Sequence, residues 1–469
     1  MKERNKLVIY QTLIIMSSTN SAGIGNRKLP HACSSWLSDK FKFNKDIMLE
    51  TGQIGNVNCF VRPIGDVDSS PLTFRLDPMA DSFLQTDNMY FWVKCKIIKG
   101  DGTAVTAADN FGIVSAFGLS FFRNIKVLLN GFELNPSCEN DIGYKNYIET
   151  IMSYDLKEQN TYLSPSIFDL DDMDNLECTN GRNIPAAGDD AAQPAPESMN
   201  RRYERVKNSR TFDFTVPVCC DFFRSDSHIA PKNKITIVAT RESNPFLIKS
   251  ANGDAEQYKV KVEDIKLYFN RIRLDPSLTA KILGKPCQYL SAQTQLKKYA
   301  LPENITSYNI ELYNGVVPRT IVVGQVQTTA VHGNYTQNPF NFQHFDISRL
   351  TLRLNGQSCP PDSFTPDFNN DLYSREYTEF LLNCGFYRSD RTCSISQERY
   401  KKGSTFFVFD TTFDKCNSDH IHKMQNASLE LEINWRNPLP TPVSILVYSV
   451  FNQRIIQENL TLPATVELI

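Results

Sequence analysis

Hydrophobic and polar positions alternate in short runs along most of this chain, and the runs are cut by Gly, Pro, Asn and Asp. Leu429-Glu430-Leu431-Glu432-Ile433-Asn434-Trp435 alternates without a fault, and Leu350-Thr351-Leu352-Arg353-Leu354 does the same. Successive side chains of a strand point to opposite faces, so each run predicts a strand with one apolar face and one polar face. Met89–Ile98 and Ile235–Thr240 are further strand candidates. Many short strands separated by turn signals predict sandwiches or barrels and exclude a βαβ plan.

The pattern occurs twice. Ile125–Leu129 runs into Asn130-Gly131, and Leu350–Leu354 runs into Asn355-Gly356. Asn-Gly after a strand predicts a tight hairpin, because both residues tolerate the positive φ of a type I′ turn. A short amphipathic helix follows each hairpin, on Tyr144, Tyr147, Ile148 and Ile151 in the first copy and on Tyr373, Tyr377, Phe380 and Leu381 in the second. Both are expected to lie over a sandwich. Thr211–Phe214 then matches Thr405–Phe409, and Ile265–Ile272 matches Val447–Ile455. The offset between copies falls from 225 residues at the hairpins to 182 at the last strands, so the first copy carries about 43 extra residues. Those residues include an acidic run, Asp169–Glu177, and an Ala/Pro/Gly/Asp-rich run, Asn180–Ser198, which read as a surface loop. Asp275-Pro276 breaks the strand between the copies. The resulting plan is an N-terminal arm (1–55), a first unit (56–276, with its insertion at about 160–205) and a second unit (277–469) ending in a short tail.

Composition narrows the function classes. The 30 Phe and 19 Tyr suit half-buried pleated surfaces. A formal net charge of −2, from 50 basic and 52 acidic residues, offers no basic excess for holding DNA through its phosphates. Twelve cysteines without a C-x-x-C spacing read as reduced, small apolar residues. No stretch approaches the roughly 18 apolar residues of a membrane span. Lys2, Arg4 and Lys6 precede an apolar run, but Gln11 and Thr12 interrupt it, so it is not read as a signal peptide; Met16 is an alternative start to Met1. Without secretion, the glycosylation-like tripeptides at Asn304, Asn334, Asn426 and Asn459 are chance matches.

Candidate chemistry is sparse. His420 and His422, with Cys416 and Asp419 near them, could share a strand face toward zinc, but no second ligand cluster stands at a recognised spacing, and an exposed polar loop is the preferred reading. Asp169, Asp171, Asp172 and Asp174 lack the Gly and Glu of an EF-hand loop, having Asp174 and Asn180 in those places, and read as a solvated acidic face. Arg201, Arg202, Arg205, Lys207 and Arg210 read as a solvated loop edge. No signature of nucleotide binding, hydrolysis or metalloprotease chemistry occurs, so no catalytic, cofactor or metal residue is assigned and no enzyme is expected.

The hairpin Asn130-Gly131-Phe132-Glu133-Leu134 and the following Tyr144-Lys145-Asn146-Tyr147-Ile148-Glu149-Thr150-Ile151-Met152-Ser153-Tyr154 resemble the hexon-like major capsid proteins of Polinton (Maverick) elements and adintoviruses. The resemblance runs from about residue 55 onward. It implies an all-β double jelly roll with short helices and long surface loops. It implies a homotrimer of pseudo-hexagonal outline, packed with neighbouring capsomers and a penton protein into an icosahedral shell. That shell would enclose double-stranded DNA without reading its sequence, and the chain would reside in the virion. On this reading the insertion sits on the outer crown or at the threefold contact. Trp36-Leu37 and Phe41-x-Phe43 of the arm would dock on a neighbour or on the inner face. The alternatives are a secreted or surface carbohydrate-binding protein of paired sandwiches, and a glycan hydrolase on the same scaffold.

Overall fold

The computed structural model describes residues 52–134, 141–182, 195–224, 227–389, 391–412, 425–460 and 464–468. Its strands fall into two sets with the same order. The first set is β1 (Gln53–Val61), β2 (Leu72–Leu76), β3 (Ser82–Ile98), β4 (Phe122–Leu129), β5 (Phe132–Glu133), β6 (Phe212–Pro217), β7 (Ile235–Arg241) and β8 (Lys259–Leu274). The second is β9 (Cys287–Leu301), β10 (Ser307–Val316), β11 (Thr320–Gln327), β12 (Ile347–Leu354), β13 (Gln357–Ser358), β14 (Phe406–Asp410), β15 (Asn426–Trp435) and β16 (Val443–Gln457). In the first set the sheets run β1-β8-β3-β6 and β2-β7-β4-β5; in the second they run β9-β16-β11-β14 and β10-β15-β12-β13. The pairings of these strands are antiparallel. Each set is thus a sandwich of two four-stranded sheets, and the duplication read from the hairpins extends to every strand of these four sheets; a small two-stranded sheet of Gly112–Ile113 and Ile248–Lys249 stands outside them in the first copy. A short β17 (Thr465–Leu468) adds to β16.

The alternation in β15 does what its pattern requires. Leu429, Leu431, Ile433 and Trp435 are buried while the residues between them are half-exposed. Fully burying such a side chain contributes about 1.5–3 kcal/mol. The two hairpins turn as expected, with φ of 50° and 87° at Asn130-Gly131 and 49° and 80° at Asn355-Gly356. Each Asn side chain also accepts a bond across the sheet, from the Lys234 N–H in the first copy and the Ser428 N–H in the second.

Between β5 and β6 lie α1 (Ile142–Ser153) and α2 (Glu197–Val206). At the join, Asp275 ends β8 and caps α3 (Pro276–Leu283), its carboxylate accepting from the Ser277 N–H at 2.9 Å. Between β13 and β14 lie α4 (Ser374–Asn383) and α5 (Gln397–Lys401).

Two expectations are corrected by this arrangement. Helix α1 does not lie over one sandwich with a wet outer face; Ile142 to Ile148, Thr150 and Ile151 are all buried. The described part of the insertion is not a free surface loop either, because Leu176 and Glu177 bond into the second sandwich. Both departures have one cause: the second sandwich supplies a wall that local periodicity does not reveal.

Candidate functional site

Helix α1 fills the seam between the sandwiches. Tyr147 stacks on Phe340 with centroids 4.3 Å apart, and Tyr144 meets Phe340 and Phe246 edge-on. Gly143 allows the close approach to Ser120, since a Cβ there would stand 3.2 Å from the Ser120 Cβ. Lys145, buried on the same helix, donates its ammonium to the Asp221 carboxylate and to the Cys219 carbonyl. The other Asp221 oxygen accepts the backbone N–H of Thr294 on β9 at 2.8 Å. Burial works to raise the Asp221 carboxyl, but Lys145, Thr294 and Arg224 outweigh it and hold it below the usual carboxylate range. Glu149, one turn further along α1, pairs with Arg224 at 2.6 Å and accepts from the Tyr448 hydroxyl of β16 at 2.9 Å.

A second lock is built from the insertion. Arg202 on α2 is 1% exposed and pairs with the buried Asp171. The second Asp171 oxygen accepts from the Asn338 side chain at 2.8 Å, and the Asp171 carbonyl accepts from Arg399 at 2.9 Å. Glu177 accepts from the Asn338 backbone and the Asn341 side chain, and buried Lys249 donates to the Leu176 carbonyl at 2.7 Å. Burial alone would raise the Asp171 carboxyl; Arg202 and Lys249, with the bonds from Arg202 and Asn338, keep it below its ordinary range. Burial pulls the Lys249 ammonium the other way, below its ordinary value, against Asp171 and Glu177. The acidic run and the basic cluster are therefore partners at this point. Asp171 is not part of a solvated acidic face, and Arg202 is not on a solvated loop edge. Arg201, by contrast, stays exposed, bridging Asp169 and Glu197. Asn233 and Gln457 close a third contact through reciprocal amide bonds of 3.2 and 2.6 Å.

The outer surface carries an apolar concentration at β1. This edge strand exposes Ile54, Val57 and Phe60, and Phe60, Tyr268 and Tyr90 form a row of rings with centroids 5.8 and 5.3 Å apart. Lys266 lies over Phe60 and Trp92. A long exposed edge of this kind is a template for another chain or segment.

Among the described residues no group of three His, Cys, Asp or Glu side chains could hold a metal ion, and His420, His422, Cys416 and Asp419 lie outside the described residues. No described helix is long and apolar enough to cross a membrane. The described cysteines are unbridged; Cys95, Cys219, Cys220 and Cys393 are buried, and burial pushes the Cys220 thiol up to about 12.

Over 96% of this chain and 94% of the other, the structure superposes on a chain of the Sputnik virophage with a TM-score of 0.61 at 13% identity. The mavirus major capsid protein superposes with a TM-score of 0.52 at 12% identity, over 96% and 97% of the two chains. A chain of the PBCV-1 capsid gives 0.52 at 11%, over 91% and 99%. The fold is a double jelly roll. In sequence, the chain is 20% identical over 409 residues to the uncharacterized protein F54H12.2 of Caenorhabditis elegans, covering 82% of this chain and 90% of that one. No family model matches the chain. In this double jelly roll the motif that carried the resemblance, Tyr144 to Tyr154, is the helix of the seam. The seam partners Asp221, Asn338 and Arg399 carried no signal in the sequence.

Proposed function

We propose that this chain is the major structural subunit of an icosahedral shell of the DNA-virus type, with no catalytic role. The observation that carries the reading is the pair of sandwiches with one strand order, held as a single block by buried ion pairs and aromatic stacking. Such a block presents two similar towers, so three copies give six towers on a pseudo-hexagonal outline that can tile a closed surface. The likeness to virophage and virus capsid chains supports this, as does the exposed edge at β1. The working division is an arm at 1–55 and jelly rolls at 56–276 and 277–469, with β1 already beginning at Gln53. On this reading neighbouring capsomers and a penton protein are the partners. Double-stranded DNA is enclosed without base-specific contacts, in keeping with the near-zero net charge. The sequence resemblance at the α1 motif favours the Polinton and adintovirus branch of such proteins.

The test is negative-stain microscopy of the expressed full chain, with class averages of the main species. Hexagonal outlines with three repeated units, or closed shells, are expected. Single two-lobed particles at every concentration would reject the proposal.

A further inference from the structure

The outer sheet of the first sandwich is interrupted. β8 pairs Tyr268 with Tyr90 and then Asn270 with Gln85, so one residue of β8 faces four of β3, Thr86 to Met89. Beside this wide bulge lies a groove of about 1070 Å³, bounded on its other side by the end of α1. On the sheet side Tyr90 and Tyr268 stack with centroids 5.3 Å apart; on the helix side Tyr154 and Tyr162 meet at 5.2 Å. Tyr162 is 61% exposed and Tyr90 39%, so ring surface faces water. A groove this large is at the upper end of what a drug-sized ligand fills.

Between the rings stand uncharged hydrogen-bonding groups. Asn58 and Asn270 lie directly opposite each other on β1 and β8, and Asn88 is exposed in the bulge. Asn146, Thr150 and Ser153 share one face of α1 and line the groove from the helix. The Asn146 side chain is buried, and its Nδ2 donates to the Leu119 carbonyl at 2.8 Å. That bond leaves its Oδ1 without a donor among the described residues, and a buried acceptor left unmet costs free energy.

The same lining disfavours other ligand classes. Of the charged groups on the groove, Glu149 and Arg224 pair at 2.6 Å, and Asp87 is left exposed. An anion would meet Asp87 and find Arg224 engaged, while a polycation would find a single carboxylate. A peptide strand would add to a free sheet edge, but β8 and β3, which run beneath the groove, are each flanked on both sides.

We propose that this groove binds a neutral oligosaccharide. A sugar ring has an apolar C–H face that suits the exposed tyrosine rings. Its hydroxyls both donate and accept, as do the amides of Asn58, Asn88 and Asn270. Asn146 Oδ1 is the acceptor left for a hydroxyl, or for a water bridging to one. The inference concerns a single chain and does not rest on the shell reading.

The experiment uses the full-length chain made in bacteria, so that it carries no N-linked sugar of its own. The labelled protein is applied to an array of oligosaccharides of mannose, glucose, galactose and N-acetylglucosamine, with sialylated and sulfated glycans beside them. The strongest neutral glycan is then titrated by calorimetry. Binding to neutral glycans is expected, and Tyr162→Ala should weaken it about five- to tenfold through the lost ring contact. Asn88→Ala should weaken it as well, whereas Tyr387→Ala, at an exposed ring outside the groove, should leave it unchanged. Both groove positions are exposed, so the fold should survive, which unfolding midpoints check. No binding to any neutral glycan, or binding to the charged ones alone, would overturn the proposal. Neutral binding that survives both groove substitutions would overturn it too, by placing the sugar elsewhere.

Discussion

Helices α1 and α4 hold equivalent places, each following the hairpin of its own jelly roll, yet they live in different surroundings. Helix α1 is buried along most of its length and carries Lys145 into a fully buried pair with Asp221, while its Glu149 pairs with the half-exposed Arg224. Helix α4 packs one side on α5, through the contacts of Phe380 and Tyr377 with Tyr400, and reaches its own sandwich where Asn383 donates to the Val408 carbonyl of β14; it leaves Leu382 exposed. Its buried Glu376 accepts a single backbone N–H, from Thr365. The same local pattern thus serves as a lid in one copy and as a keystone in the other. Position relative to the second sandwich decides which, because a helix wedged between two walls needs partners on both.

The largest effect should come from cutting a seam ion pair. Arg202→Met leaves the Asp171 carboxylate buried without its guanidinium partner, with the Asn338 side chain still donating to it, at an expected cost of about 3–5 kcal/mol, read from denaturant midpoints. Leu382→Ala on α4 is the contrasting change, and a cost near that of Arg202→Met would erase the distinction between the buried seam and the exposed side of α4.

Acid should attack the seam in the same way. The Asp171 and Asp221 carboxyls are lowered in the folded chain, so their stabilisation is complete above the unfolded value of about 4 and is lost as pH falls through the folded values. Asp141 opposes this in part, since burial raises its carboxyl against the pull of Lys298 and its protonation on acidification removes a buried charge. A stability profile from pH 6 downward should therefore steepen below about pH 4. The profile of an Asp171→Asn, Asp221→Asn double variant should be flatter; an identical slope would remove these two groups from the account.

The hairpins supply the matched control. Gly131→Ala and Gly356→Ala both place a side chain at positive φ in open space, so strain alone acts and each should cost about 1–2 kcal/mol. Unequal losses would mean that the two turns are not structural equivalents. The smallest effect is Leu382→Ala itself, expected within about 0.5 kcal/mol, as for a surface position.

These contrasts show what could be read along the chain and what could not. Strands such as Leu429–Trp435 and hairpins such as Asn130-Gly131 are local, so alternation and turn chemistry reveal them. The equivalence of the copies followed from repeating those local signals. The seam is different in kind. Lys145 meets Asp221 76 residues away, and Arg399 reaches the Asp171 carbonyl across 228. Nothing in the spacing of charges marks such partners, and a charge run without visible partners reads as solvated. The Tyr-rich helix motif did point to this place, because its polar residues Lys145 and Glu149 share a helix with Tyr144, Tyr147 and Ile148.

The most direct test of the central claim is the mass of the full-length chain by size-exclusion chromatography with light scattering. A block of two locked jelly rolls that builds a shell should give about three times the 53.4 kDa of one chain, or larger closed assemblies. A stable species of one chain mass across the accessible concentrations would contradict the shell-building account while leaving the double jelly roll itself in place.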